Sequence, residues 1–337
     1  MRTLVLALTC VVLSSVVPAA GQEPQVEPLT LNAALDEAMQ RNPDLEALRQ
    51  DYEAALAVSA VERYLSPPSF ETQIWAWPVT TLNPVRTDMY MFTMEQTLPG
   101  RGKRAARGLV GDRDADIARR EITVQANGIL DQVRLAFTGL ALARETLAIY
   151  EQQVPVLRGL AEAATLRYAS GHGAQHDTVM PLVELTRLQS DAISWRMRAR
   201  TEEARLNALL GRDPGRTIEP LMPMTVTAMP FDPARAALER HPAMALAGAQ
   251  IAREEAELAR LQGERRPDFT VGGGYMLTPG DAGAWTARAG ITWPNAPWSR
   301  KRLDAAIEVQ TRRLAAATAR RDAIARDILR GVEEAQL

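Results

Sequence analysis

Trp285-Thr286-Ala287-Arg288-Ala289-Gly290-Ile291-Thr292-Trp293 alternates in character at every step. In an extended chain successive side chains point to opposite faces. Trp285, Ala287, Ala289, Ile291 and Trp293 therefore share one face, and Thr286, Arg288, Gly290 and Thr292 the other. The first face is apolar with an indole at each end; the second is polar or small. A strand of a membrane barrel needs this pattern, with apolar residues towards lipid, polar ones towards a water-filled lumen, and aromatics at both interfaces. From Phe269 the same outward set reads Phe269, Val271, Gly273, Tyr275 and Leu277. Earlier in the chain Tyr90, Phe92 and Met94 oppose Thr93, Glu95 and Thr97. Residues 69–79 alternate less cleanly but carry Trp75 and Trp77. The spacing predicts strand pairs at 69–79 with 88–98, and at 268–277 with 284–294. Turns fall at 80–87 and at 278–283, where Pro279-Gly280-Asp281 breaks the chain. Five of the six tryptophans lie in or just beyond these segments, which favours a membrane girdle over a scattered core. Four strands are too few to close a barrel, so several chains must contribute.

The chain also repeats itself. Asn42-Pro43 recurs as His241-Pro242 and Pro68-Ser69-Phe70 as Pro267-Asp268-Phe269, each 199 residues on (241 − 42 and 267 − 68). Lys103-Arg104 recurs as Lys301-Arg302, at 198 (301 − 103). Between these anchors one order appears twice: helix, proline, strand pair, basic cluster, long helix. The first repeat is expected over 22–212 and the second over 231–337. The linker, 213–230, carries Pro214, Pro220, Pro223 and Pro230, which exclude a continuous helix. Met222, Met224 and Met229 within it fit a packed extended segment better than a soft-metal site.

A heptad seam joins the parts. Alternating steps of four and three from Ile129 give Val133, Ala136, Leu140, Ala143, Leu147, Tyr150, Val154, Leu157, Ala161, Ala164 and Tyr168, all apolar or aromatic. A second run reads Leu185, Leu188, Ala192, Trp195, Ala199, Glu202, Leu206 and Leu209, broken only by Glu202. Two such helices form a long antiparallel coiled-coil hairpin over 101–211. Arg101 to Tyr168 alone would reach about 100 Å if helical. Pro155 is expected to bend it, and Gly211 to end the second helix.

The N-terminus sets the compartment. Arg2 precedes an apolar stretch from Leu4 to Val17, and Pro18-Ala19-Ala20-Gly21 offers small residues for cleavage. Residues 1–21 therefore read as a secretory signal peptide. Cys10, the single cysteine, lies inside that stretch after Thr9, a poor lipidation context. The mature chain would hold no cysteine and no disulfide. Removing Arg2 takes the net charge from −2 to −3, too mild to suggest nucleic acid as a partner. There is no HExxH, phosphate loop or nucleophile elbow, so no catalytic residue and no cofactor are assigned. Gly272-Gly273-Gly274 lies within a strand and reads as room for close packing. Of the three histidines, His172 and His176 flank a turn and are not read as a metal site.

That turn is Arg167-Tyr168-Ala169-Ser170-Gly171-His172-Gly173-Ala174-Gln175-His176-Asp177. Gly171 and Gly173 permit positive φ, and Asp177 can cap the returning helix. Here the chain resembles the TolC-like outer membrane efflux family. In that family an arginine and an aromatic, a glycine four after the arginine and an aspartate ten after it occupy the periplasmic hairpin tip. The order of helix, strand pair and helix matches too, and the cluster from Leu98-Pro99-Gly100 to Lys103-Arg104 is closest to the heavy-metal subgroup. The resemblance implies an internally duplicated α+β outer-membrane protein of a Gram-negative bacterium with a large periplasmic part. It implies a homotrimer with a twelve-stranded barrel, working with a periplasmic adaptor and an inner-membrane pump of the RND type. Heavy-metal cations are the cargo class implied, with selection left to the pump. Arg167, Tyr168, Gly171, His172, Gln175 and Asp177 would dock the adaptor; Tyr90, Phe92, Trp285, Ala287, Ala289, Ile291 and Trp293 would face lipid. Leu337 corresponds to Thr138 at the 199-residue offset (337 − 138), so the second hairpin's turn and return helix are expected to be missing. The competing reading is a secreted periplasmic coiled-coil scaffold or adaptor without membrane strands.

Overall fold

The computed structural model describes residues 27–76, 87–221 and 238–334. The expected signal peptide, Trp77, most of the first strand-pair turn and Met222, Met224 and Met229 lie outside these residues. In chain order the elements are β1 (Glu27–Thr30), α1 (Leu31–Arg41), α2 (Pro43–Val61), β2 (Ser69–Trp75), β3 (Met89–Leu98), α3 (Lys103–Ala169) and α4 (Gln175–Leu209). There follow β4 (Ile218–Leu221), α5 (Pro242–Gly263), β5 (Asp268–Leu277), β6 (Ala284–Thr292) and α6 (Arg300–Glu334). None of these helices is long and apolar enough to cross a membrane.

The repeated dipeptides have a local cause. Asn42 caps α2, its Oδ1 accepting from the amides of Asp44 and Leu45 at 3.0 and 3.2 Å, and Pro43 takes the first helical position. His241 does the same for α5, its Nδ1 accepting from the Ala243 amide at 3.2 Å with Pro242 behind it. Proline suits that position because its missing N–H is one of the helix's unsatisfied donors anyway.

Two compact units divide the chain. One holds 27–34, 135–208 and 212–221. Its core joins Phe137, Leu140 and Ala143 of α3 to Leu206 of α4, with Leu29 and Ile218 from a parallel β1–β4 pair. Strand β4 of this small sheet falls within the expected linker, which is therefore not wholly irregular; Pro220 sits in β4, tolerated because the strand is a short edge. Glu203 holds β4 to the helices, pairing with Arg144 at 2.5 Å and accepting from the Ile218 amide at 2.8 Å. Glu202, the break in the apolar run, is half-buried over Gly139, whose absent side chain leaves it room.

The helices α3 and α4 bury the expected seam unevenly. Ile129, Val133, Ala136, Leu140 and Ala143 are buried, the positions from Leu147 to Leu157 half-buried, and Tyr168 exposed. Pro155 does not end α3, which stays helical from Lys103 to Ala169, and α4 likewise passes through Pro181.

The second unit holds 35–134, 209–211 and 238–334 among the described residues. Its helices pack largely through alanines, with Ala38, Ala115, Ala126, Ala247, Ala249, Ala256 and Ala317 buried. Small side chains let backbones approach closely: a Cβ at Gly111 would lie 2.7 Å from the Ser59 Cα. The buried Gln310 of α6 donates to the Glu254 carbonyl of α5 at 3.1 Å. The same unit carries an antiparallel sheet in the order β2-β3-β5-β6, so the two strand pairs join through β3 and β5.

Candidate functional site

The register of the sheet sorts its residues onto two faces. Tyr275 lies opposite Trp285, Gly273 opposite Ala287, Val271 opposite Ala289 and Phe269 opposite Ile291. Across the other edge of β5, Leu277 meets Tyr90, Tyr275 meets Phe92 and Gly273 meets Met94. Phe70 and Ile74 of β2 extend the same face through Met94 and Tyr90. One continuous apolar face thus crosses all four strands. It is open: Trp285 is 83% exposed, Phe70 71% and Ile291 63%. Tyr275 and Trp285 pack ring to ring at 5.1 Å. Ala287 and Ala289 are exposed between Trp285 and Ile291, and Tyr90 is half-buried.

Two indoles stand elsewhere than the alternation suggests. Strand β6 stops at Thr292, so Trp293 lies just past it, edge-on to Trp298 at 6.5 Å. Trp75, read as part of a girdle, falls on the polar face, because it pairs with Met89 one step out of phase with Ile74 and Tyr90.

The polar face holds Glu71, Gln73 and Trp75 of β2, Thr93, Glu95 and Thr97 of β3, Thr270, Gly272 and Gly274 of β5, and Thr286, Arg288 and Gly290 of β6. Two of the glycines, Gly272 and Gly274, are structural necessities. A Cβ at Gly274 would sit 2.6 Å from the Phe92 carbonyl oxygen and 2.9 Å from the Thr286 Oγ1; one at Gly272 would sit 2.9 Å from the Met94 oxygen. Neighbouring strands press onto β5 from both sides, which is the close packing expected of this run.

Where strands meet helices, the basic cluster divides. Lys103 is buried and its Nζ pairs with Glu264 at 3.0 Å and Asp268 at 2.9 Å. Asp268 also accepts from the Gly100 amide at 2.7 Å. Lys301, its counterpart in the repeat, is exposed. Spacing alone offered no signal that one lysine of the repeat would be a buried tether.

At the hairpin tip α3 ends in a Schellman motif. Gly171 takes φ +77°, the His172 amide donates to the Arg167 carbonyl at 2.9 Å and the Gly171 amide to Tyr168 at 3.0 Å. Gly173 does not need positive φ; among the described residues the positive-φ glycines are Gly102, Gly171, Gly211 and Gly280. Asp177, three residues into the helix from Ala174, accepts from the Ala174 amide at 3.3 Å, which is the return half of a capping box. Arg167, Tyr168, Gly171, His172, Gln175 and Asp177 are all exposed. The His172 Nδ1 lies 3.4 Å from the Ser170 hydroxyl, and no group of metal-ligating side chains forms among the described residues.

The outer membrane efflux protein family matches the chain over residues 34–212. Comparison with curated protein sequences gave no match. Among solved structures, the outer-membrane channel OprN superposes with a TM-score of 0.70 at 18% identity, over 90% of this chain and 72% of that one. The CmeC outer membrane channel of Campylobacter jejuni gives 0.69 at 10% identity, over 87% and 67%. The outer membrane protein VceC of Vibrio cholerae gives 0.65 at 14%, over 88% and 75%. At these identities the likeness is one of fold.

Proposed function

The chain belongs to the outer membrane efflux protein family, and from that premise we propose that it forms the outer-membrane duct of a tripartite export assembly. It is an outer-membrane protein with a periplasmic helical part, and a passive channel rather than an enzyme. The observation that carries the duct reading is the two-faced sheet. An exposed apolar face bearing Phe70, Trp285 and Ile291 backs directly onto a polar one bearing Glu71, Glu95 and Arg288. In water the first would be a liability; in a bilayer it is the required outer surface. Tyr90, Phe92, Trp285, Ala287, Ala289, Ile291 and, at the rim, Trp293 face lipid in this arrangement.

Among the described residues the outermost strands of the sheet, β2 and β6, offer unpaired backbone edges. Lipid does not tolerate such edges, so three copies close a twelve-stranded barrel. The helical hairpin of α3 and α4 belongs to the periplasmic part. The exposed tip from Arg167 to Asp177 docks a periplasmic adaptor that connects to an inner-membrane pump of the RND type. Heavy-metal cations are the proposed cargo class, supported by the resemblance of the Leu98 to Arg104 cluster.

Membrane fractionation with mass measurement in detergent tests the duct. Recovery in the outer-membrane fraction as a trimer is expected; a monomer stably inserted in bilayers, or a protein wholly in the soluble fraction, overturns it.

A further inference from the structure

Three charged side chains on the polar face stand away from the junction with the helices: Glu71, Glu95 and Arg288. Arg288 is the central residue of β6. Gly272 lies between it and Glu95, opposite each in its own ladder. Two strand spacings, about 9–10 Å, separate their backbones. With no side chain at Gly272 the two reach across β5, Arg288 Nη1 standing 3.6 Å from Glu95 Oε2. Glu71 is oriented differently. The Trp75 indole N–H donates to the Gln73 oxygen at 3.2 Å, and the Gln73 amide donates to Glu71 at 2.8 Å. That relay gives Trp75 a use on the polar face.

Such exposed pairs contribute little to stability: Arg288 is 66% exposed and Glu95 38%. Their placement matters more. Rings of charged side chains lining a water-filled passage bias which ions enter it, most strongly at low ionic strength. We propose that Glu71, Glu95 and Arg288 form a charged belt that sets the ion preference of the duct. Two carboxylates against one guanidinium leave one surplus negative charge per chain, so the belt favours cations. Arg288 moderates that preference by holding Glu95 against the wall. This inference rests on the duct reading, with the polar face inward.

The test is reversal potential in planar bilayers holding the full-length protein under a KCl gradient at low ionic strength, where screening is weakest. Wild-type channels are expected to prefer potassium over chloride. Glu95→Gln and Glu71→Gln should each move the reversal potential towards zero, and Arg288→Gln should move it further to the cation side. The exchanged double variant Glu95→Arg/Arg288→Glu keeps the net charge and should return it to the wild-type value. Conducting channels whose reversal potential is the same in wild type and all three single variants would overturn the belt while leaving the duct intact. Wild-type protein that inserts without conducting would overturn the duct reading, and the belt with it.

Discussion

Lys103, in the first turn of α3, lies 2.9 Å from Asp268, the first residue of β5, and the lysine is almost wholly buried. The pair ties a helix of the first repeat to a strand of the second, with Glu264 of α5 as a second anion at 3.0 Å. Removing the cation leaves two carboxylates facing each other in a confined space. Lys103→Met is therefore expected to destabilise the protein by about 3 kcal/mol, as breaking one side of a buried pair does. Thermal unfolding in detergent measures it, and adding Asp268→Asn should recover part of the loss. An unchanged midpoint for Lys103→Met would mean that the tether carries no load.

Asp112 of α3 gives a pH dependence of definite sign. The Ser59 hydroxyl, donating at 2.5 Å, and then the Arg63 guanidinium hold its carboxyl below the ordinary range, against an opposing push from burial. A group with a lowered folded-state pKa binds its proton more weakly when folded. Its contribution is fully present above the unfolded value, near pH 4, and is lost as pH falls through the folded value. Asp112→Asn should flatten the acid limb of a stability–pH curve and leave its slope near neutrality alone. Parallel curves for variant and wild type below pH 4 would contradict this.

The two faces of β6 should differ in their tolerance of charge. Ala289 lies opposite Val271 on the apolar face, whereas Thr292 lies opposite Asp268 on the other. Arginine at Ala289 is expected to cost about 2–4 kcal/mol if that position sits near mid-bilayer. Arginine at Thr292 should be nearly neutral. Refolding equilibria into lipid vesicles compare them, and equal tolerance would remove the barrel.

Two glycines with the same backbone sign should respond differently to alanine. Gly171 has φ +77° with open space around it, so Gly171→Ala should cost only the conformational strain, about 1–2 kcal/mol. Gly211 has φ +65°, and a Cβ there would stand 2.5 Å from the Arg41 carbonyl oxygen. Gly211→Ala should cost clearly more, read by urea denaturation followed through helical circular dichroism. Equal losses would show that the contact with Arg41 relaxes freely.

At the tip, His172 and Gln175 are exposed, and neither supplies the backbone turn, which Gly171 makes. Glutamate at both should leave folding and membrane insertion normal, with crosslinking to the adaptor and export both lost. Export that survives in the double variant would make the tip a turn and nothing more.

Much of this molecule was legible because its periodicities are long and physical. Alternation in 285–293 and 269–277 marks two strands, and the register puts Trp285, Ala287, Ala289 and Ile291 on one face, with Trp293 just past the strand end. The heptad seam marked α3 and α4, and Ile129 to Ala143 are buried as spaced. What escaped depends on strand register or on partners distant in sequence. Trp75 counts towards an aromatic girdle in the sequence, but the register of β2 puts it on the polar face, where its indole N–H meets Gln73. Lys103 and Lys301 look alike in a repeat, yet among the described residues only Lys103 meets carboxylates from elsewhere in the fold. The β1–β4 pair joins segments of four residues each, too short for alternation to show, and separated by most of the first repeat. Pro155 lies inside α3, and the helix continues on both sides of it.

The Asn42 side chain serves two helices at once. Its oxygen takes the first free amides of α2, while its nitrogen donates to the Leu209 carbonyl at the last residue of α4, at 2.9 Å. An end that frays normally does so alone, each helix opening at its own frequency. Here opening either terminus releases a group that also helps to close the other. Backbone amides at Asp44 and Leu45 should thus exchange their hydrogens in step with the last turn of α4, as one kinetic unit assembled from the two extremes of the first repeat.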